Sequence, residues 1–282
     1  MKLLSWNIQW CRGMDGVVDP NRILRTIAEL GEFDVICLQE VAANFPGLAG
    51  SQGEDQFAIL CQNLPEYTGF YGIAADMPNE NSKRSHFGNA IFSRLPVGQV
   101  WRHMLPWKSE NNIPSMQRVL VEAVISTELG YIRVLTTHLE YYSKHQRKLQ
   151  IDRLRSLHQE ACAMSDRKPL TKEQGSPFEV LSRPAEAILC GDMNFPATAD
   201  ERTQLLAPFE SGIPDFHDAR TVLFPNEPHI PTVGVHPVDF VEQPECFDHL
   251  FVTSGLIDHL KTHRVDTVTK ASDHQPVWIE LN

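Results

Sequence analysis

Short apolar segments recur along the whole chain and alternate with polar stretches. They are rich in Val, Ile and Leu, and short β-branched segments of this kind are typical of sheet strands. The predicted strands cover residues 34–38, 89–92, 119–124, 132–135, 187–190, 251–252 and 277–279. The pattern therefore predicts a fold built around β-sheet.

Two segments have the spacing of amphipathic helices. In the first, Asp19 is the predicted N-cap, Pro20 lies in the first turn and Gly31 ends the helix. Apolar residues recur between these ends every three to four positions, which places them on one face. The second helix is predicted from about Lys144 to Met164. Helices between strands are typical of an α/β fold.

The connections between the predicted strands indicate a mixed sheet. Thr127-Glu128-Leu129-Gly130 separates two strand-like segments, as in an antiparallel hairpin. Residues 165–184 are polar, contain three prolines and separate a helix from a strand. We interpret this stretch as a surface excursion rather than a domain boundary. Residues 1–282 are therefore predicted to form a single α/β domain with antiparallel pairs.

Composition narrows the class of protein. Because 42% of the 282 residues are hydrophobic, the chain can fill a sizeable core. No apolar run approaches the roughly 20 residues that span a bilayer, and the first residues turn polar too early for a signal peptide. We therefore expect a cytoplasmic protein, and we expect it to be a monomer. Six cysteines without a Cys-x-x-Cys pair favour reduced, buried thiols. The net charge of -11 disfavours a broad duplex-gripping surface.

Polar residues follow several predicted strands. Glu40, His138, Asp192 and Asn194 each lie just after such a segment. Functional groups in α/β folds collect at one end of the strands, since the sheet fixes the position of the loops there. A single carboxylate after a strand is usually a helix cap or a solvated turn residue. It is the conjunction of several such residues that indicates a site.

Six short motifs resemble those of one known family. In chain order they are Ser5-Trp6-Asn7-Ile8, Leu38-Gln39-Glu40-Val41, Thr136-Thr137-His138-Leu139, Gly191-Asp192-Met193-Asn194, Phe247-Asp248-His249-Leu250 and Ser272-Asp273-His274-Gln275-Pro276. Together they look like the successive motifs of the endonuclease/exonuclease/phosphatase superfamily, which has a DNase-I-like fold. Gly88–Arg94 resembles another strand of that family. The resemblance implies a four-layer α/β/β/α sandwich of two packed mixed sheets with outer helices.

The resemblance also implies a divalent-metal-dependent phosphoesterase that hydrolyses a phosphodiester or a phosphomonoester. Glu40 would bind Mg²⁺ or Mn²⁺, with Asp273 nearby, which agrees with the preference of hard cations for oxygen ligands. One position departs from the pattern, because many nuclease members carry Asp where this chain has Gln9. A neutral amide is a poorer ligand than a carboxylate, so a second metal site at Gln9 is in doubt.

Other implied roles concern water activation and the phosphate. By resemblance, Asp192 would orient or deprotonate the attacking water, and Asn7 and Asn194 would position Asp192 and the phosphate. His138 would donate to a phosphate oxygen or to the leaving group.

The last implied group is an imidazole with its orienting carboxylate. His274 resembles the imidazole of the family and Asp248 the carboxylate that fixes its tautomer. Arg118 could reach a phosphate with two parallel hydrogen bonds, which makes it a candidate for binding substrate.

The substrate is left open by the sequence. The alternatives are an endonuclease or DNA-repair phosphodiesterase acting on DNA ends, a lipid phosphodiesterase of sphingomyelinase type, and a non-catalytic binding protein that retains the fold. Basic residues cluster between Lys144 and Arg155, which is usually only a solvated helix face. The basic residues form only small clusters, the net charge is negative, and Gln9 stands where many nucleases have Asp. We therefore expect the substrate to be a compact phosphoester or a short strand end rather than the body of duplex DNA.

Overall fold

Two six-stranded mixed sheets form the centre of the molecule. The computed structural model describes residues 1–79, 83–165, 173–179, 181, 183–210 and 212–282. Its strands are β1 (Lys2–Asn7), β2 (Val35–Ala43), β3 (Thr68–Pro78), β4 (Arg84–Ser93), β5 (Val97–Met104), β6 (Val119–Thr127), β7 (Gly130–His138), β8 (Ala187–Asp192), β9 (Phe216–Asp218), β10 (Asp248–Thr253), β11 (Leu260–Val265) and β12 (Val277–Leu281). The first sheet has the order β11-β12-β1-β2-β4-β3, and the second has the order β5-β6-β7-β8-β10-β9.

Parallel and antiparallel pairs occur in both sheets. In the first, β1 runs parallel to β2 and antiparallel to β12. In the second, β7 runs parallel to β8, and β8 runs antiparallel to β10. The predicted hairpin is confirmed, since Thr127 of β6 pairs with Gly130 of β7. The mixed character that the sequence indicated is thus confirmed.

Helices cover the outer faces of the two sheets. Those on the outer faces are α1 (Pro20–Leu30), α2 (Gln56–Asn63), α3 (Lys144–Ser165) and α4 (Asp200–Leu205), whereas α5 (Ala219–Leu223) packs against apolar residues between the sheets. One buried cluster joins α1 and α2 to the first sheet, and another joins α3 and α4 to the second. A third lies between the sheets and contains Leu3 and Val35 from one and Val134 and Ile188 from the other. The predicted four-layer sandwich is therefore confirmed.

The predicted helix ends agree with the structure. The Asp19 side chain accepts a hydrogen bond from the backbone N–H of Asn21 at 2.9 Å, and Gly31 ends α1 with φ 128°. The second helix runs from Lys144 to Ser165. The predicted surface excursion at 165–184 lies largely outside the described residues, which omit 166–172, 180 and 182.

Two further expectations can be compared with the structure. All six cysteines are free, and four of them are buried. Of the helices that the structure describes, none combines the length and the apolar character needed to cross a membrane.

Candidate active site

The candidate residues meet at one edge of the sandwich, where central strands of both sheets end. Asn7 is the last residue of β1, His138 the last of β7 and Asp192 the last of β8. Asp248 begins β10 directly opposite Asp192. His274 precedes β12, which runs antiparallel to β1. Because neighbouring strands end or begin at this edge, residues far apart in the sequence share one cavity.

Glu40 reaches this edge from inside a strand. The sequence placed Glu40 after the end of a strand, but that expectation was wrong, since β2 continues to Ala43. The pairing of β2 with β4 shifts register between Leu38 and Val41, and Glu40 has φ 59°. A β-bulge of this kind bends a strand and re-aims a side chain without ending the pairing. The bulge turns the carboxylate of Glu40 toward the cavity.

Asn7 connects carboxylates from the two sheets. Its Nδ2 donates to Glu40 Oε1 at 3.1 Å and to Asp192 Oδ2 at 2.9 Å. Its Oδ1 accepts from the backbone N–H of Gln9 at 3.0 Å, which fixes the orientation of the amide. The hydrogen bonds to Glu40 and Asp192 hold the two sheets in register at the site.

A buried carboxylate and imidazole form the second part of the site. Nδ1 of His274 donates to Asp248 Oδ2 at 2.7 Å, and Nε2 lies 3.7 Å from Asp192 Oδ2. Burial opposes the charged imidazole, but Asp248 and Asp192 outweigh it and raise the pKa of His274 well above its usual value. The backbone N–H of Asp248 donates to Thr232 Oγ1 at 3.1 Å, which fixes the carboxylate. The arrangement favours an imidazolium whose second N–H faces the cavity.

Asp192 lies at the centre of the site. Burial raises its pKa to about 6; His274 opposes this shift and Asp248 adds to it. The backbone N–H of Asn194 donates to Asp192 Oδ1 at 2.9 Å. The side-chain nitrogen of Asn194 donates to the carbonyl of Leu139 at 2.9 Å. Asn194 therefore orients Asp192 through its backbone while its side chain is held by a neighbouring loop.

His138 lies between two of the carboxylates of the site, Glu40 and Asp192. Its Nε2 is 3.4 Å from Asp192 Oδ2, and its Nδ1 is 3.6 Å from Glu40 Oε1. Burial, Arg118 and His274 together lower the pKa of His138 well below its usual value. The ring is thus neutral and can donate one N–H without carrying charge.

Arg118 contributes a buried guanidinium. Only 8% of its side chain is exposed, and its Nε lies 3.5 Å from Glu140 Oε2 without forming a hydrogen bond. Within the part of the chain that the structure describes, Arg118 makes no side-chain hydrogen bond. A buried guanidinium with open N–H groups at a cavity favours an anionic ligand. Glu140, which the sequence reasoning did not single out, supplies a countercharge beside it.

Glu40 and Asp273 are the candidate metal ligands. Burial and the charge of Asp273 raise the pKa of Glu40 to about 7, and burial raises that of Asp273. A bound dication would offset both effects, and two carboxylates suit a hard cation. Gln9 donates its amide N–H to Asp273 Oδ2. Gln9 thus holds a candidate ligand through its nitrogen, which agrees with the doubt about a second metal site there.

A second group of potential ligands overlaps the site. Asp192, Asp248 and His274 have ligand atoms within 4.8 Å of one another, so these residues could also hold a metal ion. The short contact between His274 and Asp248 is more typical of a pair that handles a proton.

The cationic helix after His138 is occupied by other contacts. Lys144 and Lys148 both pair with Asp200, and Arg147 pairs with Glu201. These residues attach α3 to α4 and do not line the cavity. The cavity itself, of about 300 Å³, has aromatic residues on its rim that sequence reasoning missed, namely Trp10, Tyr141, Tyr142 and Phe240. Tyr141 and Tyr142 lie within three residues of Leu139, where one of the motifs ends, and this proximity was the available signal.

The chain is similar to known proteins both in sequence and in fold. The sequence profile of the "Endonuclease/Exonuclease/phosphatase family" matches residues 4–274. No curated protein sequence matches the chain. Several solved structures are similar over the whole chain. An endonuclease/exonuclease/phosphatase from Beutenbergia cavernae is 22% identical with a TM-score of 0.70, and the match covers 100% of this chain and 72% of that one.

Two further solved structures are similar to this chain. D. rerio TDP2 complexed with single strand DNA product is 20% identical with a TM-score of 0.64, and covers 100% of this chain and 98% of that one. The mannosyl-6-phosphatase of Bacteroides thetaiotaomicron is 19% identical with a TM-score of 0.64, covering 100% and 99%. At these identities the likeness concerns the fold alone.

Proposed function

Because the chain belongs to the endonuclease/exonuclease/phosphatase family, we propose that it is a divalent-metal-dependent phosphoesterase that hydrolyses a phosphodiester or a phosphomonoester with water. The observation that carries this proposal is that Glu40, Asp192 and His274 line one cavity. Asn7 holds Asp192 and Asp248 holds His274, each by a hydrogen bond. A binding protein that had only retained the fold would be free to lose these contacts. The family match over residues 4–274 supports a single domain.

Asp192 is the proposed base that orients and deprotonates water. A base works best when its pKa lies near the working pH, and burial raises the pKa of Asp192 to about 6. Asn7 and the backbone N–H of Asn194 each hold one of its oxygens. The carboxylate is therefore fixed before substrate arrives, which reduces the entropy lost on reaching the reactive geometry.

Glu40 and Asp273 are the proposed ligands of Mg²⁺ or Mn²⁺. The bound cation supplies positive charge that polarises a phosphoryl oxygen and neutralises charge on the leaving group. Asn7 holds Glu40, and Gln9 holds Asp273, so each carboxylate is oriented by an amide N–H. Oriented ligands lower the reorganisation needed for metal binding.

His274, His138 and Arg118 are the proposed contacts of the phosphate. The imidazolium of His274 can place a charged N–H against a phosphate oxygen while Asp248 holds the opposite nitrogen. His138 offers a neutral N–H to a phosphate oxygen or to the leaving group. Arg118 offers a guanidinium that has no hydrogen bond among the described side chains. Fixed donors of this kind stabilise the charge that develops in the transition state.

We propose that the substrate is a compact phosphoester or a short strand end. The lysines and arginine at the start of α3 are paired with Asp200 and Glu201, so they do not provide an extended positive surface. A protein that binds many phosphates needs such a surface. The same fold is found in a mannosyl-6-phosphatase and in a protein complexed with single strand DNA product. A sugar phosphate and a strand end are both compatible with this proposal.

Metal dependence is the direct test of the proposed function. Turnover of bis-p-nitrophenyl phosphate and p-nitrophenyl phosphate should require Mg²⁺ or Mn²⁺ and should cease after dialysis against EDTA. Glu40→Gln should weaken Mn²⁺ binding in calorimetry by about tenfold or more without lowering Tm by more than a few degrees. Glu128→Gln, on the exposed hairpin, is the matched control and should behave as wild type. Full activity in EDTA would exclude the metal mechanism. Absence of turnover of any ester with either metal would favour a binding protein.

A further inference from the structure

Three aromatic side chains form a lip on the rim of the cavity, which we call the aromatic lip: Tyr141, Tyr142 and Phe240. The ring of Tyr141 lies 4.9 Å from that of Tyr142 and 6.0 Å from that of Phe240, and both pairs meet edge to face. The hydroxyl of Tyr141 donates to the backbone carbonyl of Phe240 at 2.9 Å. This bond ties the loop after β7 to the long loop before β10, so the aromatic lip is held in place.

The exposure of the outer rings is not explained by packing. Tyr142 is 61% exposed and Phe240 is 40% exposed. Single exposed apolar side chains are ordinary on protein surfaces, whereas a cluster beside a polar cavity is typical of a binding site. Tyr141 has a structural role because it bridges two loops. The ring of Tyr142 contacts Tyr141 edge to face, but its hydroxyl makes no hydrogen bond with the described residues and bridges no loops; its backbone N–H donates to Glu140 Oε1 at 2.9 Å.

The charge of the cavity limits what the substrate can carry. Among the described residues that line it, Arg118 is the only lysine or arginine. The four carboxylates of the site offset the charge that the proposed divalent cation, Arg118 and His274 would supply together, so a ligand with several phosphates would lack countercharge. A single phosphoester with an uncharged group attached to it matches this arrangement. The volume of about 300 Å³ is at the lower end for small-molecule sites, so phosphate and attached group must be compact.

We propose that the aromatic lip is a subsite for a planar ring carried by the substrate, and that the protein cleaves aryl or nucleoside esters in preference to aliphatic ones. This inference rests on the proposed function, because it assigns the group attached to the phosphate. The planar ring stacks on Tyr142 and Phe240 while the phosphate lies among Asp192, His274 and Arg118. Stacking on aromatic side chains requires only a flat π-face, so the subsite tolerates different bases.

The test compares esters with and without a planar ring. Thymidine 5′-monophosphate and thymidylyl-thymidine carry the ring, and glycerol 3-phosphate and glycerophosphoethanolamine do not. Tyr142→Ala should lower kcat/KM for the ring-bearing member of each pair by about tenfold and leave the other within about twofold. Taking the ratio of variant to wild type removes the intrinsic reactivity of each ester. Tyr142→Phe retains the ring and should retain wild-type rates.

Controls separate this inference from the proposed function. Tyr131 is also exposed but lies at the opposite end of β7, roughly 20–25 Å from the site, so Tyr131→Ala should change nothing. Mannose 6-phosphate has a non-planar ring, and an equal loss for it would overturn the preference for planar rings. An equal loss for all esters, or no loss for any, would also overturn it. Calorimetric binding of thymidine 5′-monophosphate is a second readout. If Tyr142 is needed for binding but no ester is hydrolysed, the proposed function fails and the subsite stands.

Discussion

Glu122 provides a quantitative test of how the second sheet is stabilised. Its side chain is completely buried on β6, where Arg183 donates to both carboxylate oxygens at 3.0 and 2.8 Å. His103 donates to it at 2.9 Å, and Arg133 lies 3.6 Å away. Burial raises the pKa of this carboxyl, but His103, Arg183 and Arg133 outweigh it and lower the value to about 2. The network therefore stabilises the folded chain whenever Glu122 is ionised.

The size of the effect follows from the change in pKa on folding. A carboxyl whose pKa falls from 4.5 to about 2 contributes about 3 kcal/mol at neutral pH. Glu122→Gln removes that contribution and leaves two buried guanidinium groups without their countercharge, which costs about 3–5 kcal/mol. For a chain of this length each kcal/mol lowers Tm by about 2 °C, so we expect a loss of about 6–10 °C at pH 7.

The pH dependence has a definite sign. Because the pKa is lowered by folding, the stabilisation is present above pH 4.5 and is lost as pH falls toward 2. Thermal unfolding followed by circular dichroism at pH 7, 5 and 3 should therefore show a large gap between wild type and Glu122→Gln that narrows at pH 3. Glu128→Gln, on the exposed hairpin at the end of the same strand, is the control. Equal Tm values at pH 7, or a gap that stays constant down to pH 3, would refute the reasoning.

Two further predictions concern catalysis. Asp248→Asn and His274→Gln should each lower kcat/KM by about 10²–10⁴-fold. Because the two residues act as a pair, the double variant should lose little more activity than the worse single variant. A loss in the double variant equal to the product of the two single losses would contradict this. Turnover of small phosphodiesters should depend only weakly on salt between about 50 and 200 mM, because only about one or two phosphates contact the protein. Efficient nicking of supercoiled plasmid with a steep salt dependence would instead indicate a general nuclease.

Most central strands were predicted, whereas β1 and the edge strands were not. Strands such as β6 and β8 are buried on both faces, so their sequences are mostly apolar, with Glu122 as the charged exception in β6. In contrast, β3 and β5 lie at sheet edges with many exposed residues, and their sequences contain glycine and polar side chains. An edge strand has only one packed face, so its apolar signal is weaker. The sequence consequently missed both of them.

The site shows a similar division. Motif residues such as Asn7, Asp192 and His274 were identified from the sequence, and the structure brings them together. The bulge that re-aims Glu40 could not be predicted, because it depends on a register shift between β2 and β4. The aromatic lip was missed for a related reason, since Tyr141 and Phe240 are separated by 99 residues and meet only through the fold. Local patterns do not report such contacts.

The pairing of β1 with β12 has a consequence for the order in which the molecule is made. Asp273 and His274 leave the ribosome more than 265 residues after Asn7. Ser272, beside them, donates its hydroxyl to the backbone carbonyl of Asn7 across a separation of 265 residues. Contacts so distant in sequence form slowly and late. A nascent or prematurely terminated chain that extends past Asp192 but lacks residue 274 has no imidazole that pairs with Asp248 and faces Asp192. A partly synthesised chain that ends before Asp273 therefore lacks a complete candidate site, so it should not hydrolyse phosphoesters.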